Sequence, residues 1–352
     1  MKIAEVEVIP YALPFREPYV TARGRLERRE MVLLRLRSDD GLVGLGEAVP
    51  LSLRGGRGLA HVASELERLG ERDSLDEATL QGDALSLSAP ARCAALTALL
   101  DLRGRRAAAA GSTAQVEVDA VECNATLAAG EPAAVAAAAS RWAEDGFDTF
   151  KLKLGTSDDF GQVLAVREAV GPRARIRIDA NAAWDVDTAK HMLKALEPLE
   201  VELAEQPVAT LEEAVEVAAS TSIPIAGDES VETRADAERA QAMRACSLTG
   251  IKLCKVGGPE AAIEIAEVLP AYVSSALDGP VGIAAAAQVA QTLRAAAGAS
   301  DPGLAHGLAT QRLFSSTVAS VECEVRNGML HPPTGPGLGV EIDEQALAAH
   351  RI

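Results

Sequence analysis

Phe150-Lys151-Leu152-Lys153 is followed along the chain by Arg177-Ile178-Asp179-Ala180-Asn181, Leu203-Ala204-Glu205-Gln206-Pro207, Ile225-Ala226-Gly227-Asp228-Glu229-Ser230 and Ile251-Lys252-Leu253-Cys254-Lys255. Each stretch is a short apolar run that ends in charge. The steps from Lys153 to Asp179, Glu205, Asp228 and Lys252 are 26, 26, 23 and 24 residues. That interval holds one strand, one helix and their turns. Charges repeated at that interval return to one height when the sheet curls on itself. In a β/α barrel the C-terminal rim of the strands is where chemistry is placed.

Reading outward, strands are expected near 121–126, 148–154, 174–179, 200–205, 223–228, 249–254, 271–275 and 303–308. Helical periodicity falls between them at 131–145, 159–170, 187–197, 210–220, 233–245, 258–267 and 281–297. Eight strands alternating with helices give an α/β fold, a modified (β/α)8, TIM-like barrel. No G-x-G-x-x-G follows an early strand, so a doubly wound nucleotide-binding sheet loses support. Upstream, residues 3–13 read as a strand, and 31–37 and 42–49 flank the hairpin signal Ser38-Asp39-Asp40-Gly41. Helices at 58–70 and 89–110 complete an N-terminal α+β capping domain. The expected domains are 1–115, 116–316 and a C-terminal segment, 317–352, that returns to the cap. Two Gly- and Arg-bearing loops, at 19–24 and 52–57, are lid candidates, with Val20 and Arg54 over the site.

The chain has 352 residues and a net charge of −17, which disfavours nucleic acid and anionic membranes as partners. Hydrophobic residues make up 48%, enough for a large core, whereas 3% aromatics supply no platform for stacking bases. Glu5 and Glu7 interrupt any export signal, and the alanine-rich run at 133–139 is too short to span a bilayer. The expected location is cytoplasmic. Cys93, Cys123, Cys246, Cys254 and Cys323 are odd in number and scattered, so buried thiols are expected. Lysine is rare: seven against 27 arginines, and four of the seven are Lys151, Lys153, Lys252 and Lys255. Where arginine is the habitual cation, a retained lysine points to an amine that must lose its proton.

Taken singly, an acid at a strand end caps a helix and a Lys-x-Lys is a solvated edge. Five in phase call for one explanation. Asp179, Glu205 and Asp228 converging without protons repel one another, so a cation must sit among them. Their hard oxygen donors suit Mg²⁺. Lys151 and Lys153 share one strand face and point inward together. Lys252 approaches from the other side. A base beside a metal that binds a carboxylate removes a proton α to that carboxylate, and the metal stabilises the resulting enediolate.

Lys151-x-Lys153, Asp179-x-Asn181, Glu205-Gln-Pro, Asp228-Glu-Ser and Lys252-x-x-Lys255 resemble the enolase superfamily, muconate-lactonizing subgroup, nearly end to end. The resemblance implies metal ligation by Asp179, Glu205 and Asp228. It implies acid/base roles for Lys153 and Lys252, supported by Lys151 and Asn181, with Glu229 and Lys255 behind them. Ser274-Ser275-x-x-Asp278-x-x-x-Gly282 and Gly307-Leu308-x-Thr310 look like segments of o-succinylbenzoate synthases. This implies Mg²⁺-dependent dehydration of the cyclohexadiene carboxylate SHCHC to o-succinylbenzoate in menaquinone biosynthesis, with Ser274, Ser275 and Asp278 near the substrate. The Asp-x-Asp pair that dipeptide epimerases place at the eighth strand is missing from 303–312, and His306 departs from the pattern. An N-acylamino acid racemase or dipeptide epimerase and a muconate-type cycloisomerase are the alternative enzymes. A non-catalytic metal-binding barrel would need neither lysine. The expected partner is a small carboxylate substrate, and such folds often form homo-oligomers.

Overall fold

A computed structural model describes residues 1–51, 55–72, 74–111, 119–298 and 303–352. Its first element is a long hairpin, β1 (Lys2–Thr21) and β2 (Gly24–Ser38), extended by β3 (Val43–Ala48). Helices α1 (Leu59–Gly70), α2 (Glu77–Ala84) and α3 (Ala89–Ala109) cover one face, and the two-residue β4 (Leu75–Asp76) joins β1 to give the order β3-β2-β1-β4. The strands continue past the expected residue 13: Tyr19, Val20 and Thr21 pair with Leu26, Arg25 and Gly24. The first lid loop is therefore the end of a hairpin, since a paired backbone satisfies its own polar groups as it leaves the sheet. Arg54, the other lid candidate, and the expected boundary at 115/116 lie outside the described residues.

Helix α3 rides directly on β3 because neither surface carries bulk there. A Cβ on Gly44 would lie 2.2 Å from the Ala98 carbonyl oxygen, and one on Gly46 would lie 2.0 Å from that of Ala94. The obstructing atoms are backbone and cannot rotate away. Gly46→Ala is therefore expected to cost about 1–3 kcal/mol, read as a lower urea midpoint; an unchanged midpoint would mean that α3 can lift off the strand at no cost.

The barrel staves are β6 (Ala125–Leu127), β7 (Thr149–Lys153), β8 (Arg175–Asp179), β9 (Val201–Glu205), β10 (Ile225–Gly227), β11 (Leu248–Ile251) and β12 (Ala271–Val273), all parallel and hydrogen-bonded in sequence order. Between them run α4 (Pro132–Glu144), α5 (Asp159–Val170), α6 (Val186–Leu196), α7 (Leu211–Ala218), α8 (Arg234–Met243), the single turn α9 (Leu253–Val256) and α10 (Pro259–Ala266). Then comes α11 (Pro280–Ala297). Thr210 with Glu213 and Thr233 with Asp236 form capping boxes that start α7 and α8. The expected eighth strand is reduced to two bridges. His306 pairs with Cys123 and Gly307 with Ser274, so residues 306–307 join the two edges of the sheet.

The first expected strand is also split. Val121–Glu122 (β5) joins an antiparallel sheet with β13 (Glu324–Arg326) and β14 (Met329–His331). The C-terminal residues lie against the cap. Tyr11 bridges Arg351, Ile352 N–H donates to the Pro10 carbonyl at 3.2 Å, and Leu338 N–H donates to Asp101 Oδ1 at 2.7 Å. All five cysteines are buried free thiols. Among the described residues, no helix is long and apolar enough to cross a membrane.

Candidate active site

The site is built in two layers by strand alternation. Lys153, Asp179 and Glu205 end their staves in register, Lys153 opposite Asp179 and Asp179 opposite Glu205. Glu205 is then paired with Ala226, so Asp228 stands one step beyond β10, the offset that closing a tilted sheet imposes. The five groups are not level, yet one oxygen from each of Asp179, Glu205 and Asp228 lies within 4.8 Å of the others.

Four ammonium groups surround these carboxylates. Lys151 Nζ contacts Asp179 Oδ2 at 2.9 Å and Glu205 Oε2 more closely. Lys153 donates to Asp179 Oδ2 and, at 3.2 Å, to Asn181 Oδ1. Lys252 donates to Asp228 Oδ2 and lies 3.5 Å from Glu205 Oε1. Lys255 holds Asp228 Oδ1 at 2.9 Å and the Val231 carbonyl at 3.0 Å. Lys153 and Lys252 thus approach the triad from β7 and from the end of β11. The sequence reading extended strand six through residue 254. The structure ends β11 at Ile251 and coils residues 253–256 into a helical turn. This matters for Lys255, because residues three apart oppose each other on a strand but share a face on a helix.

All three carboxylates and all four lysines are buried. Burial alone would raise the Asp179 carboxyl, but Lys151, Lys153 and Lys252 hold it well below the usual carboxylate range. Burial opposes charge on Lys151, yet Asp179 and Glu205 outweigh it and keep the ammonium well above lysine's ordinary value. Beneath lies a layer that the sequence reading missed. Tyr272 donates its hydroxyl to Glu205 Oε2, and burial together with the nearby Glu205 charge holds its pKa well above a tyrosine's ordinary value. The Arg177 guanidinium lies 5.1 Å above the Tyr272 ring and donates to the Ala305 carbonyl at 2.6 Å. Gly250 leaves room for this ring, since a Cβ there would come 2.9 Å from the Tyr272 hydroxyl. Arg177 was legible in principle, two residues before Asp179 and hence on its face.

The other expected residues are distributed as follows. Asn181 N–H donates to Asp179 Oδ1 at 3.0 Å, and its Nδ2 lies 3.4 Å from Glu229 Oε1. Ser274 and Ser275 line an open cleft above the triad, together with Lys151, Lys153, Asn181 and Lys252. Asp278 does not line it. Its carboxylate accepts from Ser275 Oγ and Ala276 N–H, both at 2.7 Å, so it shapes the turn that presents the serines. Val20 is a half-buried strand residue whose neighbours Tyr19 and Thr21 line the cleft. His306 accepts from Val273 N–H through Nδ1 at 2.9 Å and closes the barrel wall. Arg23 comes from the 19–24 segment read as a lid; the sequence reading did not anticipate Arg29 and Leu51 from the cap, or Thr126, which is paired beside Lys151.

Whether a divalent cation suits the triad is decided by its oxygens. Glu205 Oε1 is buried and accepts no hydrogen bond. The donors are all carboxylate, as a hard cation prefers. The residues fit such an ion.

Comparison with known proteins agrees over both parts of the chain. Residues 3–111 match the family "Mandelate racemase / muconate lactonizing enzyme, N-terminal domain", and residues 133–346 match "Enolase C-terminal domain-like". An o-succinylbenzoate synthase of Thermobifida fusca is 39% identical over 66% of this chain and 72% of its own. Muconate cycloisomerase 1 of Pseudomonas putida is 30% identical over 97% of this chain and 96% of its own. The crystal structure of a dipeptide epimerase from Enterococcus faecalis V583, complexed with Mg and L-Leu-L-Tyr, superposes with a TM-score of 0.86 at 26% identity. It covers 97% of this chain and 100% of that one.

Proposed function

The chain belongs to the enolase superfamily, and on that premise we propose that it is a Mg²⁺-dependent lyase that dehydrates SHCHC to o-succinylbenzoate. The observation that carries this reading is a cleft lined by Lys151, Lys153, Lys252 and Arg29, with no acidic side chain among its described lining residues. Such a lining suits a substrate whose remote group is an anion and offers nothing to hold an amine. Mg²⁺ held by Asp179, Glu205 and Asp228 would supply Lewis-acid stabilisation of negative charge on the substrate carboxylate.

Lys153, as free amine, takes the proton α to that carboxylate. The electron pair left on carbon forms the ring double bond as the β-hydroxyl departs. The ammonium on Lys153 returns its proton to that hydroxyl, so the products are o-succinylbenzoate and water. Lys252 stays protonated and stabilises developing charge from the opposite side, beside Glu205 and Asp228. Ser274 donates to the succinyl portion beside Ser275, whose hydroxyl is held by Asp278, and the cap's Tyr19 and Thr21 narrow the access of water.

A second reading has its own support. Two lysines on opposite sides of one triad can alternate as base and acid, which describes a racemase or epimerase of acylated amino acids or dipeptides. Proton NMR in D₂O with Mg²⁺ separates the two. Loss of SHCHC with appearance of o-succinylbenzoate, abolished by EDTA, is the expected result. Exchange at Cα of an N-acylamino acid or dipeptide with SHCHC untouched would reassign the reaction.

A further inference from the structure

The tip of the β1–β2 hairpin, Ala22 and Arg23, rests on the loops that follow three successive staves. Ala129 N–H, after β6, donates to the Val20 carbonyl at 3.1 Å. Gly155, after β7, has no room for a side chain: a Cβ would lie 2.8 Å from Ala22 Cβ and 2.6 Å from Ala183 Cβ. After β8, the Arg23 guanidinium donates through Nε at 3.2 Å and Nη2 at 2.9 Å to the carbonyl of Asn181. The side chain of that same Asn181 accepts from Lys153 Nζ at 3.2 Å. Asn181 and Ala182 have φ of 49° and 58°, the left-handed region, which asparagine enters readily and alanine rarely. Contacts must hold them there. Asn181 N–H on Asp179, Ala182 N–H on the Gln206 carbonyl at 2.8 Å, and Arg23 on the Asn181 carbonyl are those contacts.

We propose that Arg23 is a positioning residue: by gripping the Asn181 backbone it sets the Asn181 carboxamide, which in turn aims Lys153. The guanidinium is about one-third exposed and 3.9 Å from Glu229 Oε1, so as a surface ion pair it would contribute little. Its geometry toward one carbonyl is the informative feature. Docking of the cap is thereby part of assembling the base. This rests on the reading of Lys153 as the base.

The test compares Arg23→Ala and Arg23→Lys in the full chain with Mg²⁺, using SHCHC and SHCHC deuterated at the α-carbon. Arg23→Ala is expected to lower kcat on the order of 10–100-fold, with KM changing much less and a primary isotope effect at least as large as that of the parent. Arg23→Lys, which keeps a donor for the carbonyl, is expected to recover part of the loss. A loss carried by KM, or a smaller isotope effect, overturns the proposal. A crystal structure of Arg23→Ala gives a readout independent of turnover. Asn181 Oδ1 displaced from hydrogen-bonding distance of Lys153 Nζ supports it, and an unchanged contact overturns it. If the parent protein leaves SHCHC untouched, the dehydratase reading fails alone and the crystal structure still decides the role of Arg23.

Discussion

Lys153→Ala is expected to lower kcat by about 10²–10⁴-fold, the usual weight of a positioned acid/base group, while leaving Mg²⁺ binding intact. The geometry separates the two effects. Lys153 sits on Asp179 Oδ2, an oxygen of the triad, so removing its ammonium lifts a repulsion from the cation site. Calorimetric titration should show Mg²⁺ affinity unchanged or tighter. Lys153→Arg should not rescue turnover, because a guanidinium keeps its proton at any working pH. Weakened Mg²⁺ binding in Lys153→Ala, or recovery in Lys153→Arg, would show that the residue holds charge in place and moves no proton.

Glu205→Gln should have the largest effect on both binding and stability. Four ammonium groups, from Lys151, Lys153, Lys252 and Lys255, face three carboxylates in a buried volume. Neutralising Glu205 leaves Lys151 with Asp179 alone and strips Tyr272 of a charged acceptor. Breaking a buried charge pair from one side costs about 3–5 kcal/mol, so the metal-free variant should unfold at distinctly lower denaturant. Mg²⁺ should raise the melting temperature of the parent, because a ligand that binds only the folded state adds to its stability. It should leave that of Glu205→Gln unmoved. An Mg²⁺-dependent rise in the variant would remove Glu205 from the ligand set.

The barrel was legible because its signal is redundant. Parallel staves covered on both faces read as apolar runs, and the charge that ends each run marks its length. Seven of the eight α-helices between 132 and 297 fall where periodicity placed them, the turn at 253–256 being the exception. The eighth stave was overread, because Gly303-Leu-Ala-His-Gly-Leu has the composition of a strand while only His306 and Gly307 make bridges. Asp179, Glu205, Asp228, Lys153 and Lys252 were legible as a set because each ends a stave or directly follows one. Tyr272 was not, because it begins its layer from within a strand that shows no charge. Arg29 was beyond reach for another reason, and Arg23 was read only as part of the 19–24 lid candidate. The cap brings them to a site assembled from residues more than a hundred positions later, and no local pattern records a docking between distant segments. Asp278 was read with the serines as near the substrate, whereas its carboxylate holds their turn.

The pairing of residues 351 and 352 with Tyr11 and Pro10 has a kinetic side. A contact between the two extremes of a long chain carries the greatest loop-closure entropy, unless the barrel between them has already drawn the ends together. Such a topology folds slowly and in stages. Refolding from urea should therefore show the staves regaining protection from hydrogen exchange first, with the edge of β1 at Pro10 and Tyr11 covered only once residues 351 and 352 have docked. Until then the edge of β1 stands open, and it is there that a crowded refolding mixture would aggregate.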